Sequence, residues 1–276
     1  MTVFISGATG LVGRLLLDAL PGPVRALTRR PDRRDLPEHV EVVGEVDLRG
    51  VTAVFVHPRA VADLDGLVRA ARAAGVGKVV ALSAANVDEP LDAQPSRFRG
   101  DRNKEAEDAV VGSGLPWVSL RAASFASNTA TAWAAQLARG DVVRGPYADF
   151  AEPLLHDRGI ADVAAVALTT DALDHRRVTL TGPDLLTHRE QVRLIGEALG
   201  RPLAYAETPA DAAAENLLRA GLPQPFVTAL LRRYAAGKPT DVTDEVRRAL
   251  GKPARGFRDW LAEHADRFPA ASPVTG

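Results

Sequence analysis

Apolar and polar positions follow two different periods along the first two-thirds of the chain. Short apolar runs at 3–6, 24–27, 40–43, 53–56 and 117–120 have the length of strands. The run Lys78-Val79-Val80-Ala81-Leu82 is apolar on both faces of a pleat, as in a strand buried inside a parallel sheet. Between them the period lengthens to that of a helix. From 61 to 74, Leu64, Leu67, Val68 and Ala71 fall on one face, and Gly75 and Gly77 stop the pattern. A second helical stretch is expected from 98 to 111, ended by Gly112-Ser113-Gly114. Strands alternating with helices predict an α/β fold: a Rossmann-type, doubly wound parallel sheet covered by helices on both faces.

The pattern changes after Gly182-Pro183. A helix is expected over 185–199, with Thr187 as N-cap and Glu190 three residues on, the spacing of a capping box. A short strand at 203–205 and three more helical stretches lead to Trp260 and Phe268. The division expected is a dinucleotide-binding domain over 1–182, with 125–158 contributing to a substrate pocket, and a mostly helical C-terminal cap over 183–276.

The densest chemical signal sits at the first strand-to-helix turn. Val3-Phe4-Ile5-Ser6 runs into Gly7-Ala8-Thr9-Gly10-Leu11-Val12-Gly13 and then Arg14-Leu15-Leu16-Leu17. Such a turn brings backbone N–H groups and a helix N-terminus to a pyrophosphate. Gly7 is expected to allow the tight turn, Gly10 the approach of phosphates, and Gly13 the packing of helix on strand. About 20 residues on stands Thr28-Arg29-Arg30-Pro31, where an acidic residue would bind a free ribose 2′-hydroxyl. Guanidinium groups suit a 2′-phosphate instead, so the cofactor expected is NADPH with Arg29 as its main contact.

Composition narrows the remainder. The 276 residues are 46% hydrophobic and 25% charged, with a formal net charge of −1, so nothing points to a nucleic-acid or membrane surface. The absence of cysteine removes disulfides, thiolate metal sites and Cys nucleophiles. No run approaches the roughly 20 apolar residues of a membrane span. A cytoplasmic protein is expected, monomeric or homodimeric, with no metal. Zincin histidine spacing, a Gly-x-Ser-x-Gly elbow and a lysine after the glycine turn are all missing.

The glycine turn, Leu27-Thr28-Arg29-Arg30-Pro31 and Leu120-Arg121-Ala122-Ala123-Ser124-Phe125-Ala126-Ser127-Asn128 together resemble the NmrA-like branch of the atypical short-chain dehydrogenase/reductases. Ile160-Ala161-Asp162-Val163-Ala164-Ala165, Leu180-Thr181-Gly182-Pro183 and Leu199-Gly200-Arg201-Pro202 extend that resemblance over nearly the whole chain. It implies that Gly7, Thr9, Gly10, Leu11 and Val12 hold the pyrophosphate and Arg29 the 2′-phosphate. It places Val56, His57 and Pro58 under the adenosine and its ribose. Leu82, Ser83, Ala84 and Lys104 would border the nicotinamide ribose, and Ala122, Ala123, Ser124 and Phe125 the nicotinamide.

The family's usual acid pair departs here. Short-chain dehydrogenases use Tyr-x-x-x-Lys on one helix face, tyrosine donating a proton and lysine lowering its pKa. Lys104 stands in the expected helix, but Gly100 occupies the tyrosine position. The literal match Tyr234-Ala235-Ala236-Gly237-Lys238 lies in the C-terminal part and is read as packing there. Candidate catalytic groups are therefore Lys104, Ser83 and His156, with Asn86 and Ser124 as further candidates to polarise a carbonyl. Where relatives often carry aspartate before Ile160, this chain has Gly159. The function expected is an NADPH-dependent reductase acting on a quinone, ketone or other conjugated aromatic small molecule, including a biosynthetic tailoring ketoreductase. The alternative is a non-catalytic NADP(H) redox sensor working through a protein partner. A nucleotide-sugar epimerase would need the missing tyrosine.

Overall fold

The computed structural model describes residues 1–29, 36–238 and 240–269. Seven strands form one parallel sheet: β1 (Thr2–Ser6), β2 (Val24–Leu27), β3 (Val40–Val43), β4 (Val51–Val56), β5 (Lys78–Ala84), β6 (Trp117–Ala122) and β9 (Arg176–Leu180). Their order across the sheet is β3-β2-β1-β4-β5-β6-β9, all pairs parallel. The chain reverses its direction of winding between β1 and β4, which makes the crevice beyond their C-terminal ends the switch point. The expected doubly wound sheet is the one observed.

Side chains alternate across the pleat, so each strand feeds two cores. Val3, Ile5, Ala53, Phe55, Val80, Leu82, Leu120 and Val178 pack under α1 (Leu11–Ala19) and α5 (Asp157–Thr169). Phe4, Val54, Val56, Val79 and Ala81 pack under α2 (Leu64–Ala73) and α3 (Asn103–Val111). The helix expected over 61–74 is three residues shorter at its start, because the Asp63 side chain accepts the Gly66 N–H and caps it there. The helix expected over 98–111 is broken. Residues 95–99 form a 3₁₀ turn, Gly100 ends it at φ +95°, and α3 begins only at Asn103.

Beyond the sheet, α4 (Asn128–Leu137), β7 (Val142–Gly145) and β8 (Ala151–Glu152) precede α5, and β10 (Leu186–Thr187) leads into α6 (His188–Leu199). The Thr187/Glu190 capping box forms as the sequence predicts. After β11 (Ala204–Glu207) come α7 (Ala210–Arg219), α8 (Gln224–Ala236), α9 (Glu245–Leu250) and α10 (Phe257–His264). Strand β11 pairs with β7 and β10 with β8, so elements on both sides of residue 182 share sheets. Helix α9 goes further and returns to the sheet layer, packing on α5 and β9.

Candidate active site

At the switch point, Gly7 adopts φ +79°, and a Cβ there would stand 2.8 Å from Cγ of His57. Gly7 is thus required twice, by its backbone and by the ring beside it. A Cβ on Gly13 would lie 2.2 Å from the Gly7 carbonyl oxygen and 2.7 Å from Cα of Ala8. The close approach expected of Gly13 is real, but its partner is the turn itself rather than the strand. Gly10 caps α1 without a side chain, so the first N–H groups of that helix have no capping oxygen. Acidic residues are also absent from its first turn. An anion is the partner such an end lacks.

The remaining cofactor candidates converge on the same edge. Ser6 pairs with Leu27 across β1 and β2, which brings the exposed Arg29 out beside the glycine turn. Arg30 and residues 31–35 lie outside the described residues. His57 donates its backbone N–H to Oγ of Ser6 at 2.8 Å, and that hydroxyl donates to the Phe55 carbonyl. Burial lowers the His57 pKa, and its Nδ1 accepts the Arg59 N–H, so the ring is neutral at pH 7. Pro58 is buried next to it.

Ser83, expected to face a substrate, is turned to the α3 side. It donates to Oε2 of Glu107 at 3.1 Å and is almost fully buried. Glu107 also accepts from Ser119, Arg121 and Arg177, and Arg121 reaches Asp88 at 2.7 Å. Burial works to raise the Glu107 pKa, but these donors outweigh it and hold the carboxylate at about 2. The Ser83 hydroxyl is therefore committed to a buried ionic cluster that ties α3 to β5, β6 and β9. The adjoining Ala84 ends β5, and the next N–H, of Ala85, donates to the Ala122 carbonyl. Lys104 lies in the first turn of α3 and its Nζ pairs with Asp108 Oδ1 at 2.5 Å. Gly100 precedes that helix in a left-handed turn, so positions 100 and 104 do not share a helix face. The geometry that Tyr-x-x-x-Lys requires is missing along with the tyrosine.

His156 also takes a different part from the expected one. Its Nδ1 accepts the Arg158 N–H and caps α5, and the side chain is 2% exposed. Burial, followed by the nearby Arg255, lowers its pKa to about 4. A neutral, enclosed N-cap cannot act on a substrate in the pocket. Asp157 beside it accepts from Ser127 and from the Trp260 indole, joining α5 to α4 and α10.

The residues expected along the nicotinamide lie just past β6, and the ones that sequence reasoning missed, Glu152, Phe150 and Arg233, meet them there. Ala122 and Ala123 are buried, and Phe125 bridges to Leu155. Between them, Ser124 donates to Oε1 of Glu152 at 2.5 Å. The same oxygen receives Nη2 of Arg233 at 2.7 Å, from α8. The Arg233 guanidinium lies 5.6 Å from the centre of the Phe150 ring, within cation–π range. Tyr234 packs on Phe150 and His188, with ring centres 4.7 and 4.9 Å away. Tyr234 does pack as a side chain of the C-terminal helices, but two of its ring partners, Tyr147 and Phe150, come from before residue 182. Helix α8 reaches that place by lying across the 3₁₀ turns at 91–99. The only hint in the sequence was Arg232-Arg233 directly before the tyrosine.

A separate cleft of about 350 Å³ is lined by Pro146, Tyr147, Glu207, Thr208, Pro209 and Ala210, none of them a predicted site residue. Among the described residues no group of acidic, histidine or cysteine side chains could hold a metal ion. No described helix is long and apolar enough to cross a membrane.

The profile of the NAD(P)H-binding family matches residues 7–171, from the first glycine of the turn through α5. The chain belongs to this NAD(P)H-binding family, in the NmrA-like, atypical short-chain dehydrogenase/reductase group. Among its relatives, the (4-alkanoyl-5-oxo-2,5-dihydrofuran-3-yl)methyl phosphate reductase of Streptomyces griseus is 40% identical, over 96% of this chain and 99% of that one. The NAD(P)H azoreductase of Xenophilus azovorans is 28% identical over 98% and 100%. In fold, the chain is similar to the Citrobacter sp. triphenylmethane reductase complexed with NADP(H): TM-score 0.78, 19% identity, 96% and 100% coverage. It is equally similar to the Escherichia coli quinone oxidoreductase QOR2 complexed with NADPH: TM-score 0.79, 19% identity, 95% and 99% coverage. This member of the family is an oxidoreductase of the NAD(P)H-dependent reductase type.

Proposed function

We propose that this protein is an NADPH-dependent reductase that delivers hydride to a conjugated, carbonyl-bearing small molecule without a tyrosine acid. The observation that carries the reading is the pairing of an intact glycine turn with a broken acid pair. Gly7, Gly10 and Gly13 build the anion-binding helix start, while Gly100 sits in a left-handed turn outside the helix of Lys104. Bound NADPH supplies the hydride. The chain's own residues hold, orient and shield. Backbone N–H groups of Thr9, Leu11 and Val12 bind the pyrophosphate, Gly10, whose N–H is held by the Gly7 carbonyl, lets it approach, and Arg29 selects the 2′-phosphate. The neutral His57 and Pro58 lie along the adenosine ribose, Ala84 and Lys104 along the other ribose, and Ala122, Ala123, Ser124 and Phe125 along the nicotinamide.

A substrate whose conjugation accepts a hydride at carbon needs position more than acid catalysis, and water can complete the protonation. The relative that reduces a dihydrofuranone phosphate fits that demand. An unsaturated lactone or a quinone is the substrate class we favour. The test is oxidation of NADPH by the purified protein over a panel of butenolides, quinones and polycyclic ketones, with NADH alongside. Turnover with a preference for NADPH is expected. Tight NADPH binding with no turnover on any acceptor overturns the reading and favours redox sensing.

A further inference from the structure

We propose that Arg233 polarises the carbonyl oxygen of the acceptor, replacing the missing tyrosine, and that Glu152 and Ser124 position it; this rests on the reductase reading above. Ser124 is the second residue past the end of β6, on the sheet edge where open α/β sheets bind ligands. The Arg233 guanidinium arrives there from α8, opposite the sheet. Its Nη2 meets Glu152 at 2.7 Å and its Nη1 faces the Ser124 hydroxyl at 3.5 Å. A guanidinium carries five N–H donors in a fixed plane. Two directions are taken by these partners, and the described residues offer no acceptor to Nε. The Arg233 side chain is 25% exposed while that of Glu152 is 9%, so the carboxylate is enclosed and the cation faces open space. The Phe150 ring below the guanidinium and the Glu152 carboxylate at one end hold it in place.

That arrangement matches the charge that develops in conjugate reduction. A C–H bond forms at the β carbon as hydride arrives. The π electrons of the C=C bond move toward the α carbon, and the carbonyl π electrons move onto oxygen, giving an enolate. A proton from water then forms the C–H bond at the α carbon, and the carbonyl is restored. Only the oxygen gains a full negative charge on the way, and donors placed there lower the barrier. The Arg233–Glu152 pair is neutral overall, which suits a neutral lactone or ketone better than a free anion would.

The experiment compares Arg233→Gln and Arg233→Lys with wild type on two acceptors: an α-acetyl butenolide, and a triphenylmethane dye cation with no oxygen to polarise. Arg233→Gln is expected to lower kcat on the butenolide by about 10²–10³. On the dye the loss is expected to stay below about tenfold, since no enolate forms there. Arg233→Lys should recover part of the butenolide rate, because charge returns without the fork. Equal losses on both acceptors, tracking a lowered Tm, would assign Arg233 to holding α8 in place and overturn the proposal. A readout without turnover decides independently. The carbonyl stretch of an isotope-labelled butenolide bound with NADP+ should fall in wild type and return to its free frequency in Arg233→Gln. No shift in wild type, or no binding, overturns the anchor. A shift without turnover on any acceptor keeps the anchor and overturns the reductase reading.

Discussion

Arg29 follows β2, exposed and beside the glycine turn, and on the proposed reading its guanidinium meets the 2′-phosphate that NADH lacks. Arg29→Ala is expected to weaken NADPH about 10–100-fold, the worth of one or two hydrogen bonds to a charged group. NADH binding should change by less than about threefold, as fluorescence titration of the reduced nicotinamide would show. Two other side chains contribute to the response to acid, beside His57 and His188, whose pKa values burial also lowers. The fold holds Glu107 at about 2 against an ordinary 4.5, so its contribution is full above about 4.5 and is lost as pH falls through about 2. His156 is held at about 4 against an ordinary 6.5. Here the folded state favours the neutral ring, so that contribution is full above about 6.5 and is lost as pH falls through about 4. Tm should therefore decline in two stages on acidification. His156→Asn, which keeps an N-cap acceptor, should reduce the stage between pH 6.5 and 4 by the His156 share while leaving the lower stage intact. Glu107→Gln should remove the lower stage and destabilise by about 3–5 kcal/mol, because Arg121 and Arg177 lose a buried partner. An unaltered acid profile in either variant would assign the titration elsewhere.

At the scale of one element, α1 is the most constrained. Its first turn presses on the loop that precedes it, and a methyl at position 13 would overlap the Gly7 carbonyl oxygen at 2.2 Å. Backbone is rigid where a side chain could swing aside, so the turn and helix would have to separate. Gly13→Ala is expected to cost more than about 3 kcal/mol or to leave a protein that folds without binding dinucleotide. Chemical denaturation and NADPH titration distinguish these outcomes from tolerance. Helix α3 shows the opposite dependence. A helix is expected from position 98, yet it starts only at Asn103, because Gly100 takes a left-handed turn and Arg102 donates to the carbonyls of Val61 and Ala62. The sequence marks the end of this helix correctly, at Gly112, and its beginning wrongly.

Across the whole molecule, a third apolar cluster joins segments far apart in the chain. Trp133, Leu137, Val143 and Leu154 pack with Val192, Ile195, Tyr205, Phe257 and Trp260, and α9 adds Val246 to the core beneath α5. A core built from both sides of residue 182 leaves neither side a complete apolar surface to bury. Calorimetry is expected to show one cooperative transition for the full chain rather than two. NADPH at a hundred times its Kd should stabilise that transition by about 2.7 kcal/mol. Two resolved transitions would show the C-terminal helices unfolding by themselves.

The sequence by itself determined whatever depends on near neighbours. Strand and helix periods, the glycine turn, the Thr187 capping box and the family were legible because each rests on contacts within a few residues or on a local backbone conformation. The parallel sheet followed, since alternating strands and helices have few ways to bury both faces. The pairing of Arg233 with Glu152 and Ser124 was not legible, because those residues stand 81 and 109 positions apart in the chain and meet only when α8 packs across the 3₁₀ turns at 91–99. The same holds for His156, whose loop position promised exposure until α10 closed over it, and for Ser83, whose face of the strand is decided by where Glu107 lies. Local spacing names the residues that can do chemistry. Which of them have their donors already spent is a property of packing, and only the tertiary structure decides it.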